Sequence, residues 1–186
     1  MWRTPALAVL VLFAATATAD EALDTAWIVD TTGEGGTGAC RITADATNEA
    51  SRAAKREIAA SGTVSQESLA AIMRNAARLK LIRVGEGFEL LLVLVAGIEL
   101  DRPVALDIDG EPVLAFPGGA CADIKRGVSG CPAGVSDAAR FLVRAEGARA
   151  AQASYTPRGE DGLNEVLFGL AGLASAVAEC RIMPGD

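Results

Sequence analysis

The chain contains no histidine. That absence excludes Ser-His-Asp and Cys-His catalysis, histidine-liganded zinc or iron, and a histidine-based pH switch. Basic residues are also in deficit: 17 Lys and Arg stand against 24 Asp and Glu, a formal net charge of −7. Nucleic acid and anionic membrane surfaces both require a basic face, so the charge balance argues against either as a partner. None of the four cysteines forms a Cys-x-x-Cys motif, the usual signature of a thiol redox enzyme. No apolar run reaches the ~20 residues that a membrane-spanning helix needs. Phe88 to Leu100 (FELLLVLVAGIEL) is interrupted by Glu89 and Glu99 and fits a buried strand or strand pair. The chain has no fixed-period repeat and no low-complexity tract.

What is present is enough for a core. The 186 residues suit a single domain, and 51% of them are apolar. The first 19 residues read as an export signal. Arg3 supplies a short positive region, Ala6 to Ala14 the apolar stretch, and Ala17-Thr18-Ala19 a small-x-small cleavage pattern, with Asp20 as the mature N-terminus. Cleavage there takes the net charge to −8. No cysteine lies near the cut, so lipid attachment is not indicated.

An exported chain with Cys40, Cys121, Cys131 and Cys180 is expected to hold two disulfides. Three connectivities are possible. Cys121 and Cys131 enclose a short stretch rich in glycine and turn formers, which favours them as a local pair. Cys40 and Cys180 would then tie the early mature chain to its C-terminal end. The chain-entropy model gives the short loop roughly 2.7 kcal/mol and the long loop roughly 5 kcal/mol. Cys₄ zinc sites draw on two closely spaced pairs, and only one pair here is even moderately close, so the cysteines read as structural braces.

Along the chain, Ala26 to Val29 predicts a short strand. Asn48 to Ala60 predicts a helix closed by Gly62. A second helix is expected from Gln66 to about Lys80, opened by a Thr63–Gln66 capping box. Leu69, Ile72, Met73, Ala76 and Leu79 would form its apolar stripe, and Arg74, Arg78 and Lys80 its solvated face. Strands are expected over Phe88 to Val95, Ile98 to Leu100, Val104 to Ile108 and Pro112 to Phe116. Asp109-Gly110 between the last two predicts a two-residue type I′ hairpin, because glycine accepts positive φ freely. Pro112 lacks an N–H, which puts its arm at a sheet edge or turns that position outward. Further on, Ser136 to Ala148 reads as a short amphipathic helix or helix-strand transition and Gln152 to Thr156 as a strand. Leu163 to Glu179 reads as a last helix, N-capped near Asp161 or Gly162.

Few residues invite a chemical reading. Gly33-Glu34-Gly35-Gly36-Thr37-Gly38 has the letters of a dinucleotide fingerprint, but the strand before it is short and Cys40 follows at once, so it reads as a glycine loop. Asp107-x-Asp109-Gly110-Glu111 resembles part of a calcium loop, yet lacks its distant bidentate glutamate and is accounted for by a hairpin turn. A carboxylate pair for hydrolysis could be drawn from Asp107 or Asp109 with Glu160 or Asp161, provided that they converge in one cleft. Ser51 and Lys55 are one residue too far apart for Ser-x-x-Lys. No catalytic, cofactor-binding or metal-binding residue is assigned.

A series of motifs then falls into a recognisable order. It runs Glu99-Leu100, Val104-x-Leu106-x-Ile108-Asp109-Gly110, Phe116, Cys121, Gly130-Cys131-Pro132-Ala133 and Leu163 to Ala178, with Trp27-x-Val29 near the start. This order resembles the invasion-associated locus B family of exported alphaproteobacterial proteins. That family has apolar strands around an Asp-Gly turn, a cysteine pair whose second member follows glycine, and a late Ser-Leu-x-Gly-Phe-x-x-Ala helix, approximated here by Gly169-Leu170 and Ala174. Asp30 stands where the family has an early cysteine, and the stretch from Asn48 to Lys80 has no counterpart. The resemblance implies an immunoglobulin-like β-sandwich, periplasmic or secreted, linked by name to host-cell entry and without an established enzymatic activity.

Together these readings predict a mainly β chain: one stapled domain over residues 20–186, with a helical insertion near residues 48–80 and a C-terminal helix. The expected role is non-enzymatic, binding a protein or envelope component, without a cofactor, nucleic acid or stable membrane insertion. The alternatives are an exported hydrolase with a carboxylate pair and an envelope structural subunit.

Overall fold

Strands dominate because apolar residues alternate with polar ones over most of the chain, and each alternating run buries one face. The computed structural model describes residues 26–31 and 39–182. The expected export signal, its expected cleavage point, Asp20 and the Gly33–Gly38 stretch lie outside the described residues. A six-stranded antiparallel sheet has the order β1 (Ile28–Asp30), β2 (Arg41–Asp45), β3 (Ala77–Val84), β4 (Gly87–Leu94), β8 (Val128–Ala133), β7 (Ala122–Lys125). A four-stranded antiparallel sheet has the order β10 (Asn164–Gly169), β9 (Ala150–Tyr155), β5 (Val104–Ile108), β6 (Glu111–Phe116). Four helices accompany them among the described residues: α1 (Glu49–Ser61), α2 (Gln66–Arg74), α3 (Val135–Ala145) and α4 (Leu173–Ile182).

Both sheets feed one core. Leu79 and Leu81 of β3 and Leu90, Leu92 and Leu94 of β4 meet Leu106 of β5, Ala153 of β9 and Phe168 of β10, with Phe141 of α3 and Leu173 of α4 closing it. Each fully buried Leu, Ile or Phe contributes about 1.5–3 kcal/mol relative to exposure. The β5–β6 hairpin forms as its sequence dictates, with Asp109 at φ 49° and Gly110 at φ 83°. Pro112 is exposed on β6, an edge strand, where its missing N–H breaks no ladder.

Three sequence expectations are corrected. The second helix stops at Arg74, and residues 77–84 are strand. Leu79 fits the expected helical stripe, but Ala77, Leu79 and Leu81 follow a period of two, and pairing of this segment with β2 and β4 decides for the strand. The remaining stripe is not core: no residue of α2 is buried, and Leu69 and Met73 are each about half exposed at 49% and 50%. The N-cap is Ser65, whose side chain accepts from the Ser68 N–H, in place of Thr63. Second, the long last helix divides into β10 and α4. Val166 and Phe168 point inward from a strand paired with β9 over six residues, and Gly172 at φ 84° precedes the helix. Asp161 and Gly162 therefore lie in a turn before a strand. Third, Ile98 makes only an isolated bridge, to Pro157, because the chain turns on either side of it. Strand β2 was not foreseen, and the Cys121–Cys131 stretch is an ordered β7–β8 hairpin.

Loop packing adds one steric constraint. A Cβ on Gly118 would fall well inside van der Waals contact with the Asp101 carbonyl oxygen, on backbone that has no flexible end to move. Gly118→Ala is expected to cost about 1–3 kcal/mol in a urea melt. An unchanged midpoint would show that this loop yields freely.

Candidate functional site: a braced surface and an apolar groove

The cysteines pair as the local-loop argument favours. Cys121–Cys131 joins positions 10 apart with a Cα separation of 4.2 Å, and Cys40–Cys180 joins positions 140 apart at 5.6 Å. All four are buried. The long bridge sets α4 against β1 and β2, where Arg83 Nη1 also donates to the Cys180 carbonyl at 2.9 Å. A guanidinium there offsets the negative end of the helix dipole. Trp27 Nε1 donates to the Gly169 carbonyl at 2.9 Å and fixes the other end.

A polar clamp links the β7–β8 hairpin to loops of the second sheet. Ser129, fully buried, accepts from the Ile98 N–H at 3.3 Å and donates to Asp123 at 2.8 Å. Arg158 Nη2 reaches both Asp123 oxygens, at 2.7 and 2.9 Å. Hydrogen bonding from Arg158, then from Ser129, holds the Asp123 carboxyl below the usual aspartate range. A lowered folded-state pKa stabilises the fold above the ordinary value and ceases to do so as pH falls through the lowered one. Asp123→Asn is therefore expected to lower the urea midpoint by a constant amount above about pH 4, with the difference closing at lower pH. A difference that persists unchanged to pH 2 would mean that the clamp is not acting through charge.

A second tether holds the helical insertion. Tyr155 is buried, donates to the Arg74 carbonyl at 3.3 Å and accepts from Asn164 Nδ2 at 2.8 Å. Burial pushes its phenol pKa up. Arg74 Nε pairs with Glu160 at 3.0 Å beside it.

That pairing bears on the carboxylates singled out for hydrolysis. Asp109 accepts from the N–H groups of Arg149 and Ala150 at 3.3 Å each, at the start of β9. Glu160 follows the end of β9 and engages Arg74. Asp107 lies on β5 opposite Gln152, and Asp161 is exposed in the turn before β10. The length of β9, about 17 Å at ~3.4 Å per residue, separates Asp109 from Glu160. The structure does not bring them into one cleft. Among the described residues, no three His, Cys, Asp or Glu side chains cluster to hold a metal ion.

A groove of about 620 Å³ runs between α3, with the Glu146–Ala148 segment after it, and α4. Leu142, Ala145, Leu173 and Val177 form its floor and walls, with Glu146 and Arg181 among its charged residues. Val143 on its rim is 71% exposed. Sequence reading missed both the groove and the clamp. The residues of each are scattered along the chain, and only the small side chains at Gly172, Ala174 and Ala178 hinted at an unfilled helix face.

Neither a family model, nor a curated protein, nor a solved structure matches this chain. No described helix is long and apolar enough to cross a membrane.

Proposed function

We propose that this is an exported binding protein of the invasion-associated locus B type, an immunoglobulin-like β-sandwich that engages a protein or envelope component in the periplasm or outside the cell. The observation that carries the reading is the pair of buried disulfides on two antiparallel sheets, one closing a local hairpin and one drawing together positions 140 apart. Such bridges persist in oxidising compartments. The Asp-Gly turn joins the paired strands β5 and β6, and the Gly-Cys-Pro-Ala strand pairs with β4, in keeping with the motif order. The late helix motif fits less well, because Gly169 ends β10 whereas Ala174 lies in α4. Dispersal of Asp107, Asp109, Glu160 and Asp161 favours binding over hydrolysis.

Mass mapping of protein taken from its native host without reduction tests this reading. Two disulfides and an N-terminus at Asp20 are expected, and in-cell crosslinking should then yield a defined heteromeric product. Four free thiols on an uncut leader would overturn the reading.

A further inference from the structure

We propose that two copies of this chain pair about a two-fold axis through the outward face of the six-stranded sheet. Strand register sets out that face row by row. Leu79 and Leu81 of β3 and Leu90 and Leu92 of β4 point into the core, so the residues between them point out. The middle row runs Ile28, Thr43, Lys80, Leu91, Pro132 across five strands. On one side of it stand Asp30, Arg41, Ile82 and Glu89, and on the other Asp45, Arg78, Val93 and Gly130. Side chains of Ile124 and Leu91 converge over Gly130, 3.1 and 3.3 Å from where its Cβ would stand.

Two properties of this face select a second copy. It is more apolar than a solvated sheet face. Strand β4 is apolar on both faces from Leu90 to Leu94, the pattern of a strand covered on both sides. Ile28 and Ile124 are nonetheless 59% and 50% exposed. The charges of the face also cancel: Arg41, Arg78 and Lys80 stand against Asp30, Asp45 and Glu89, whereas the whole chain carries −7. Two such copies repel one another over most of their surface and meet without that penalty on a neutral face. A partner of strong opposite charge would call instead for a face of one sign.

The charge pattern also sets the register of the pair. Asp30 stands opposite Arg41, and Asp45 opposite Arg78, to which it is bonded at 2.6 Å. Lys80 and Glu89 stand opposite the apolar Leu91 and Ile82. An axis lying in the face midway between Lys80 and Glu89 brings the lysine of each copy to the glutamate of the other. Six strands ~4.8 Å apart and five residues long at ~3.4 Å each give a face of roughly 500 Å². Two copies together bury about 1,000 Å², the lower bound of a specific interface, so the dimer is a reversible one.

The contact needs only the folded, oxidised chain, wherever the protein resides. Sedimentation equilibrium of that chain is expected to show concentration-dependent exchange between monomer and dimer. Carbodiimide coupling of mixed light- and heavy-nitrogen chains should join Lys80 to Glu89 in mixed-label peptides. Lys80→Glu and Glu89→Lys should each weaken the dimer about tenfold, the loss of a charge-assisted contact. The double variant should regain most of that loss, a rescue that damaged folding would not give. Ile124→Asp should leave a monomer, with circular dichroism confirming its fold. A monomer at every concentration, no mixed-label coupling, or charge variants that the double does not rescue would overturn the proposal. So would coupling of Lys80 to a different protein in host material in place of a second copy. Disulfide mapping reports on export and not on this contact, so either reading can fail without the other.

Discussion

Cys180→Ser is expected to lower unfolding stability by up to about 5 kcal/mol, the chain-entropy value for its loop, against about 2.7 kcal/mol for Cys121→Ser. The bridge spans 140 positions, so breaking it releases far more unfolded-state freedom than opening the 10-residue hairpin bridge. The native state loses as well. Cys180 is fully buried, so serine places a hydroxyl where sulfur was, beside an unpaired Cys40 thiol. Helix α4 then depends on Leu173, Ala176 and Val177 and on the Arg83 cap. Urea denaturation of the two variants, each compared with the oxidised parent, reads the difference. Equal losses would mean that the long loop is already restrained in the unfolded ensemble, and the entropic argument would fail for this chain.

Phe141→Ala is expected to cost about 3–5 kcal/mol, the range for a buried aromatic replaced by alanine. Phe141 is fully buried on α3, with Ala138 and Ala145 on the same inward face. The helix packs on β4 and β6, strands of different sheets, and Phe141 belongs to the core that both sheets share. The ion pairs of α3, Arg140–Asp137 and Arg144–Glu111, are exposed and offset little of such a loss. Guanidinium melts should show a lower midpoint with an unchanged slope. A loss under 1 kcal/mol would mean that α3 re-seats and refills the space.

Local chemistry made some of this legible in advance and tertiary pairing hid the rest. Asp109-Gly110 specified its hairpin because both residues accept positive φ, a demand met within the turn itself. The Cys121–Cys131 bridge was equally local. By contrast, Ala76 and Leu79 fit a helical stripe until β2 and β4 pair on either side of β3. Val166 and Leu167 fitted the expected last helix for the same reason, and pairing with β9 decided for a strand. Arg41 to Asp45 is a five-residue run with only Ile42 and Ala44 inward, too little apolar signal to stand out. The clamp of Asp123, Ser129 and Arg158 has no spacing that a linear reading could detect, since Arg158 lies 35 positions from the carboxylate it holds. Helices α1 and α2 were legible as helices from propensity, whereas their shallow burial was not.

The span of the Cys40–Cys180 bridge has a consequence for the order in which bridges close once the chain reaches an oxidising compartment. A chain entering N-terminus first would expose Cys40, Cys121 and Cys131 before Cys180 follows. Prompt closure of the 121–131 hairpin takes both rivals out of contention and leaves Cys40 the sole remaining thiol until Cys180 arrives. Early closure of the small bridge is therefore expected to favour correct pairing of the large one. A chain deprived of it should accumulate scrambled isomers and come to rely on a thiol-shuffling catalyst to mature.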